Sequence, residues 1–520
     1  MKLLAFITLS TFFSAFVSSA QIKSWLTQAD SNGNVISLLQ PQTDISTSTN
    51  IVSGNGIEIN INSANKFQTI EGFGAGLPQS SSYVLSNLKK SNPNLYQYVL
   101  NQLFSKENGM GMNILRFPIG SCDFSIHNTS YDETYWDWNL GDFAIDPDSE
   151  TIVSVLQDVY KVNPELTVIG KLSSFLPLLL LVFYLIASPW SAPSWLKTLQ
   201  SLIAYNERNT LVDDDYFYLT YAKYFIKVLE TYLARGININ YLTLQNEPLF
   251  GTSDQYPGMY LTSENSARLF KKLSPLLIDF NKKYSKNVEV LAYDHNWDHP
   301  EYPADVISRT RGDGVDGEVK SVAWHCYGGD MKTALTYISS KYPEAKQHLT
   351  ECTGAFPNDT CDITQGMTSF GWNHEWDMAN LLVGATSYGA CSSTKWILAL
   401  DENCGPFLPD VTFNFGRPFV SIPSSASSES DIKWNQDFWS MAHMSKFIPK
   451  GSQRVQSVVN NDHSGSLLTE TYLNSATHTL TTIVLNYNHQ NELGITISDG
   501  VNSFITSVPP FGTKVYQWNI

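Results

Sequence analysis

Between about residue 67 and residue 451, short apolar runs alternate with longer amphipathic stretches. The runs are Ile70–Gly74, Asn113–Phe117, Leu166–Ile169, Tyr241–Gln245, Val288–Tyr293, Ser321–His325, Gln347–Glu351 and Lys395–Leu400. Each has the length of a strand buried on both faces, and helix-length segments lie between most of them. A strand, a crossover helix and a second strand return the chain to the same edge direction, so successive strands pair in parallel. Eight such units close on themselves, and the pattern predicts an α/β fold, a (β/α)8 TIM barrel. One unit is especially clear. Tyr221, Tyr224, Phe225, Val228, Leu229 and Tyr232 recur at helical spacing, Gly236 sits where a left-handed residue ends a helix, and Tyr241–Gln245 follows. That strand runs into Asn246-Glu247-Pro248, where the proline stops the ladder.

The chain ends read differently. Met1–Ala20 carries Lys2, an apolar run and a small-residue Ser18-Ser19-Ala20 end, the layout of a cleaved secretory signal. Residues 21–66 and 452–520 are rich in Ser, Thr, Asn and Gly and hold short strands such as Ile57–Ile61, Thr481–Leu485, Gly494–Ile497 and Val515–Trp518. They predict one β-sandwich built from both termini and attached to a barrel at 67–451. A net charge of −16 repels nucleic acid and argues against a basic membrane patch. Asn128 and Asn358 are Asn-x-Ser/Thr glycosylation candidates and fit the secretory pathway, with a lysosomal or secreted destination. None of the six cysteines has zinc-ligand or redox spacing. Cys122 and Cys352 flank strand ends and read as buried thiols, whereas Cys361, Cys391 and Cys404 leave room for one disulfide.

Phe175–Ala187 breaks the alternation. It is apolar on all sides and short for a membrane span. Removing the 17 residues Gly170–Ile186 would join Ile169 directly to Ala187. Gly-Lys can be encoded by a splice-donor-like codon pair, so the segment reads as an in-frame retained intron. A genuine membrane-dipping loop near the cleft is the alternative, and an ordinary core strand is the weakest reading.

Barrel enzymes keep their chemistry at the C-terminal strand ends. Glu247 ends the fourth run, and Glu351, in His348–Gly354, ends the seventh. Glycosidic cleavage needs one carboxyl to protonate the leaving oxygen and a second to attack or to activate water. Other strand ends offer Arg116, Asp123, Trp190, Trp195, His325, Tyr327 and Trp396 to the same rim. Singly, each has a structural explanation: a buried ion pair, a core tryptophan, a satisfied core histidine. Their recurrence at strand ends is what points to a site.

Ser121-Cys122-Asp123-Phe124-Ser125-Ile126 and Ser445-Lys446-Phe447-Ile448-Pro449-Lys450-Gly451-Ser452-Gln453-Arg454-Val455 are long and distinctive. With Gly72–Gly74, Asn113–Pro118, Ala187–Lys197, Gln245–Pro248, Val322–Tyr327, Thr350–Gly354 and Trp396–Leu400, they resemble the lysosomal-type glucosylceramidase (acid β-glucosidase) family of retaining β-glycosidases. The resemblance runs from about Phe67 to the C-terminus. It implies a barrel with a β-sandwich and hydrolysis of glucosylceramide to glucose and ceramide. Glu247 would be the acid/base and Glu351 the nucleophile. Asn246 would bind the sugar 2-hydroxyl, and Asp123, Trp190 and Trp396 the rest of the glucose. His325 and Tyr327 would lie beside the nucleophile, and Arg116 would orient Glu351 and keep it ionised. An acid at Glu247 must hold its proton more tightly than Glu351 does. An asparagine near Asn414 is a further candidate for the sugar. No metal or organic cofactor is implied. The implied partners are a glycosphingolipid at a membrane surface, anionic lipid and a saposin-like activator protein. The cysteine-rich N-terminus of the animal members is absent, so their disulfides do not carry over. Two other readings stay open: a β-glycosidase for soluble or polymeric sugar, such as a β-xylosidase or glucanase, and a non-catalytic glycan- or lipid-binding relative.

Overall fold

The computed structural model describes residues 21–48, 56–162, 183–252, 254–312, 317–411 and 416–520. The expected signal at 1–20, the run Leu166–Ile169, residues 170–182 of the apolar segment and Asn414 lie outside them. Eight strands close a parallel barrel: Gly72–Gly76, Ile114–Ile119, Tyr184–Pro189, Tyr241–Thr243, Glu289–Asn296, Ser321–His325, Lys346–Glu351 and Ala390–Lys395. Strands from both termini form a separate curled ten-stranded sheet. It has its own apolar core, which includes Ile59, Val484, Ile497 and Tyr516. The expected α/β barrel with an appended β-domain is therefore what the chain builds.

The helix Asp215–Ala234 shows how the sequence enforces this plan. Asp214 caps its start by accepting the Tyr216 N–H. Tyr221, Tyr224, Phe225, Val228, Leu229 and Tyr232 are all buried, each contributing about 1.5–3 kcal/mol through the apolar area it removes from water. Gly236 takes a φ of +80° just past the helix end, a conformation that costs glycine little. The chain then turns through buried Ile237 and Ile239 into the fourth barrel strand.

Two strands differ from the expectation. The third barrel place is filled by Tyr184–Pro189 rather than Leu166–Ile169. Tyr184 and Ile186 face the barrel interior with Ile114, Tyr241 and Leu291, while Leu185 joins the core between strands and helices. The end of the anomalous segment is therefore ordinary core strand, the reading that the sequence ranked weakest. The strand spans six residues, like Ile114–Ile119 beside it, so the barrel is not over-long. The eighth strand is Ala390–Lys395 rather than Lys395–Leu400. Its small Ser392, Ser393 and Thr394 are buried and pair with Gly72, Phe73 and Gly74, where the barrel closes. Ala399–Leu400 pairs instead with Val420–Ser421 in a three-stranded sheet.

The cysteines need one correction. Cys352 is not a thiol but bonds Cys326, with a Cα–Cα distance of 5.3 Å. Its neighbour Glu351 is the register partner of His325, so the next residues of the two strands come side by side. Cys361 pairs with Cys404, and Cys122 and Cys391 remain buried thiols. Asn128 and Asn358 are both exposed.

Candidate active site

The C-terminal rim of the barrel collects one polar side chain from nearly every strand. Arg116 comes from the second, Ser188 from the third, and Asn246 and Glu247 follow the fourth. Asp294 comes from the fifth, His325 from the sixth and Glu351 from the seventh. Arg116 is fully buried. Its Nη1 donates to Glu351 Oε2 at 2.6 Å. Its Nη2 donates to Asn246 Oδ1 at 2.7 Å and to Asp294 Oδ2 at 2.9 Å. The guanidinium also lies 4.9 Å from the Trp190 ring centroid and 5.8 Å from that of Trp396, where the ring faces attract a cation. His325 lies between Glu247 Oε1, 3.0 Å from Nδ1, and Asp294 Oδ1, 3.1 Å from Nε2. The Tyr327 hydroxyl donates to Glu351 Oε1 at 3.0 Å.

One carboxylate oxygen each of Glu247 and Glu351, and one ring nitrogen of His325, all lie within 4.8 Å of one another. That closeness suits a retaining pair and leaves too little room for the water that an inverting pair must hold. The backbone is bent to achieve it. Glu247 has φ +46° and Asp294 φ +65°, a region that costs an L-residue about 1–2 kcal/mol. The Glu247 N–H donates to the Asp294 carbonyl at 2.9 Å, which ties the two bends together.

The electrostatics follow from three clustered carboxyls facing two cations. Burial opposes ionisation of Asp294, but Arg116, His325 and Ser188 hold it well below the usual carboxylate range. Burial also opposes a charged His325, yet Glu351, Asp294 and Glu247 raise it to about 9. The two glutamates part in opposite directions. Burial raises both, but the His325 ring draws Glu247 below its ordinary value. Glu351 stays above its own: burial and the charges of Glu247 and Asp294 outweigh His325 and Arg116. The directions are therefore the reverse of those expected from the sequence. The cause is His325, whose Nδ1 faces Glu247.

A cavity of about 370 Å³ opens over this cluster. Its walls include Asp123, Trp190, Asn246, Tyr327 and Trp396, so these sequence-derived candidates converge with the two glutamates. Arg116 and His325 lie beneath, behind the carboxylates. Trp195 lies apart: it is buried against Trp138, and its Nε1 donates to the Asp132 carbonyl at 3.1 Å. Sequence reasoning missed Asp294, which accepts from Arg116, Ser188, Thr350 and His325 while fully buried. It also missed His295, Asn296, Phe250 and Tyr256 on the cavity wall. The signal was the polar Asp294-His295-Asn296 at the end of the fifth apolar run.

The family profile described as glycosyl hydrolase family 30 TIM-barrel domain matches residues 70–448. An endo-1,6-beta-D-glucanase of Neurospora crassa is 29% identical over 391 residues, covering 74% of this chain and 71% of that protein. A lysosomal acid glucosylceramidase of Mus musculus is 28% identical over 478 residues, covering 90% of this chain and 84% of that one. The solved structure of the endo-beta1,6-glucanase BT3312 superposes with a TM-score of 0.77 at 24% identity, covering 96% of this chain and all of that one. That likeness concerns the fold.

Proposed function

The chain belongs to glycosyl hydrolase family 30, and we propose that it cleaves β-1,6-linked glucan by a retaining double displacement between Glu247 and Glu351. The observation that carries this reading is the pair of glutamates on one rim, with carboxylate oxygens within 4.8 Å. Glu351 attacks the anomeric carbon, and the glycosidic bond breaks as Glu247 gives its proton to the departing oxygen. Water, deprotonated by Glu247, then hydrolyses the glucosyl–Glu351 ester. Arg116 and Tyr327 each donate to Glu351 and steady it for attack. Because Asn246 Oδ1 is held by Arg116, its amide is left to donate to a sugar hydroxyl. The two glutamates titrate as one unit, and attack proceeds from the state in which Glu247 carries their shared proton and Glu351 is ionised.

The Neurospora crassa endo-1,6-beta-D-glucanase supports a polymeric glucan, and the cavity wall suits one. The Phe250 and Tyr256 rings lie near-parallel, at 14° and 6.5 Å, beside the cluster. Flat aromatic faces of this kind suit a second sugar. Glucosylceramide is the second reading, favoured by the glucosylceramidase relative that spans 90% of this chain. The test compares linear β-1,6-glucan, β-1,3-glucan and glucosylceramide in anionic liposomes, with Glu351→Gln as control. Oligosaccharides released from the β-1,6 polymer alone are expected. Turnover of glucosylceramide with the polymer untouched would reverse the assignment.

A further inference from the structure

We propose that the Cys326–Cys352 disulfide is a positioning element of the active site, holding Glu351 in register with His325 and Tyr327. The proposal rests on the catalytic reading above. The sixth and seventh barrel strands pair regularly from Ser321↔Lys346 to Trp324↔Leu349, and the next pair is His325↔Glu351. Thr350 is thus one residue too many. Its hydroxyl donates to Asp294 Oδ1 at 2.7 Å and, across the strands, to the Trp324 carbonyl at 3.2 Å. A bulge of this kind interrupts the ladder and leaves the strand end held by fewer bonds. A slip of one residue there would turn Glu351 to the opposite face.

The ladder fails one step before the nucleophile, and the disulfide bridges the strands one step after it. Cys326 stands between His325 and Tyr327, and Cys352 follows Glu351. The bond therefore brackets the Tyr327–Glu351 hydrogen bond at 3.0 Å and the approach of His325 Nε2 to Glu351 Oε2 at 4.0 Å. It reaches a third site wall too, because the Cys352 carbonyl accepts the Trp396 N–H at 2.8 Å. Cys361–Cys404 has no such neighbours: none of the residues flanking it hydrogen-bonds either glutamate among the described residues.

The test compares the full chain with Cys326→Ala/Cys352→Ala and with Cys361→Ala/Cys404→Ala, using an aryl β-glucoside that reports cleavage whatever the natural aglycone. In the first variant kcat should fall by about 10²-fold, the cost of a small misplacement. KM should change little, and the alkaline limb of the pH–rate profile should shift. The second variant should keep both. Mild reduction of the wild-type protein by dithiothreitol should reproduce the first result and reoxidation reverse it, with the far-ultraviolet circular dichroism unchanged. An unaltered kcat and pH profile, whatever the fall in melting temperature, would overturn the proposal. Loss of fold on reduction would overturn it too, since the bond would then be a staple of the barrel. Should the native protein cleave no β-glucoside, the catalytic reading fails separately. The ¹⁵N titration of the His325 ring, which needs no substrate, still decides: moved by reduction supports positioning, unmoved refutes it.

Discussion

Replacing Asp294 by asparagine removes one negative charge from the buried cluster and almost nothing else. The carboxylate has no solvent exposure and accepts four hydrogen bonds. They come from Arg116 at 2.9 Å, Ser188 at 2.7 Å, Thr350 at 2.7 Å and His325 at 3.1 Å. Asparagine keeps one acceptor oxygen and turns an NH₂ toward donors on its other side. Each buried donor left facing it costs about 1–3 kcal/mol, and breaking one side of a buried ion pair costs about 3–5 kcal/mol. The two costs describe the same contacts, so they overlap, and a loss of about 4 kcal/mol is expected. The cluster goes from three carboxyls and two cations to two of each. His325 loses the negative charge beside its Nε2, so its proton should leave well below about 9. Guanidinium unfolding at neutral pH measures the first effect and ¹⁵N titration of the histidine ring the second. A loss below about 1 kcal/mol with an unmoved His325 would refute the reasoning, because it would mean that Arg116 and His325 are held by other contacts.

Three further outcomes can be checked. The neighbouring carboxylates push His325 up to about 9 in the folded chain against about 6.5 unfolded. Its contribution to stability is therefore full below about 6.5 and is lost as the pH rises through about 9. Melting curves across that window should fall in the wild type and flatten in His325→Gln. Glu247→Gln should lower kcat on unactivated glucosides by about 10²–10⁴-fold, with much smaller losses on aryl glucosides whose leaving group needs no proton; equal losses on both would remove Glu247 as the acid. Deleting Gly170–Ile186 should leave a folded, active enzyme, because Thr167-Val168-Ile169 would then precede Ala187 where Tyr184-Leu185-Ile186 now stand. An unfolded product by circular dichroism would show that the two runs are not interchangeable.

Which parts were legible follows from where periodicity speaks. Tyr241–Thr243 and its preceding helix announce themselves because both bury apolar side chains at regular spacing. The third strand was misplaced because Leu-Thr-Val-Ile and Phe-Tyr-Leu-Ile offer the barrel much the same apolar edge. Only the neighbours' register, Ile114↔Tyr184 through Ile119↔Pro189, picks one. Ala390–Lys395 hid because its residues are small and hydroxylic, chosen for closure against Gly72–Gly76 rather than for hydrophobicity. Glu247 and Glu351 stood out as carboxyls after apolar runs. Asp294 did not, since a buried aspartate in a strand end is written like any loop aspartate until its four donors are assembled around it. The Cys326–Cys352 pairing depends on a bulged register, which no spacing rule encodes.

The sheet shared by the two termini sets a timetable for biosynthesis. Ile57–Thr69 lies between Gln453–Asn460 and Leu493–Ser498, and Gln21–Ala29 lies beside Gly512–Asn519. At about 5–20 residues per second on the ribosome, Thr69 waits about 20–80 s before Gln453 is made. For that interval the early strands present open backbone edges, the kind that recruit other chains. The barrel can begin to condense from its own local units, but its companion sheet cannot close until Gly512–Asn519 has been made. Truncation anywhere between Gln453 and Asn519 would therefore strand the first strands as well as the later ones.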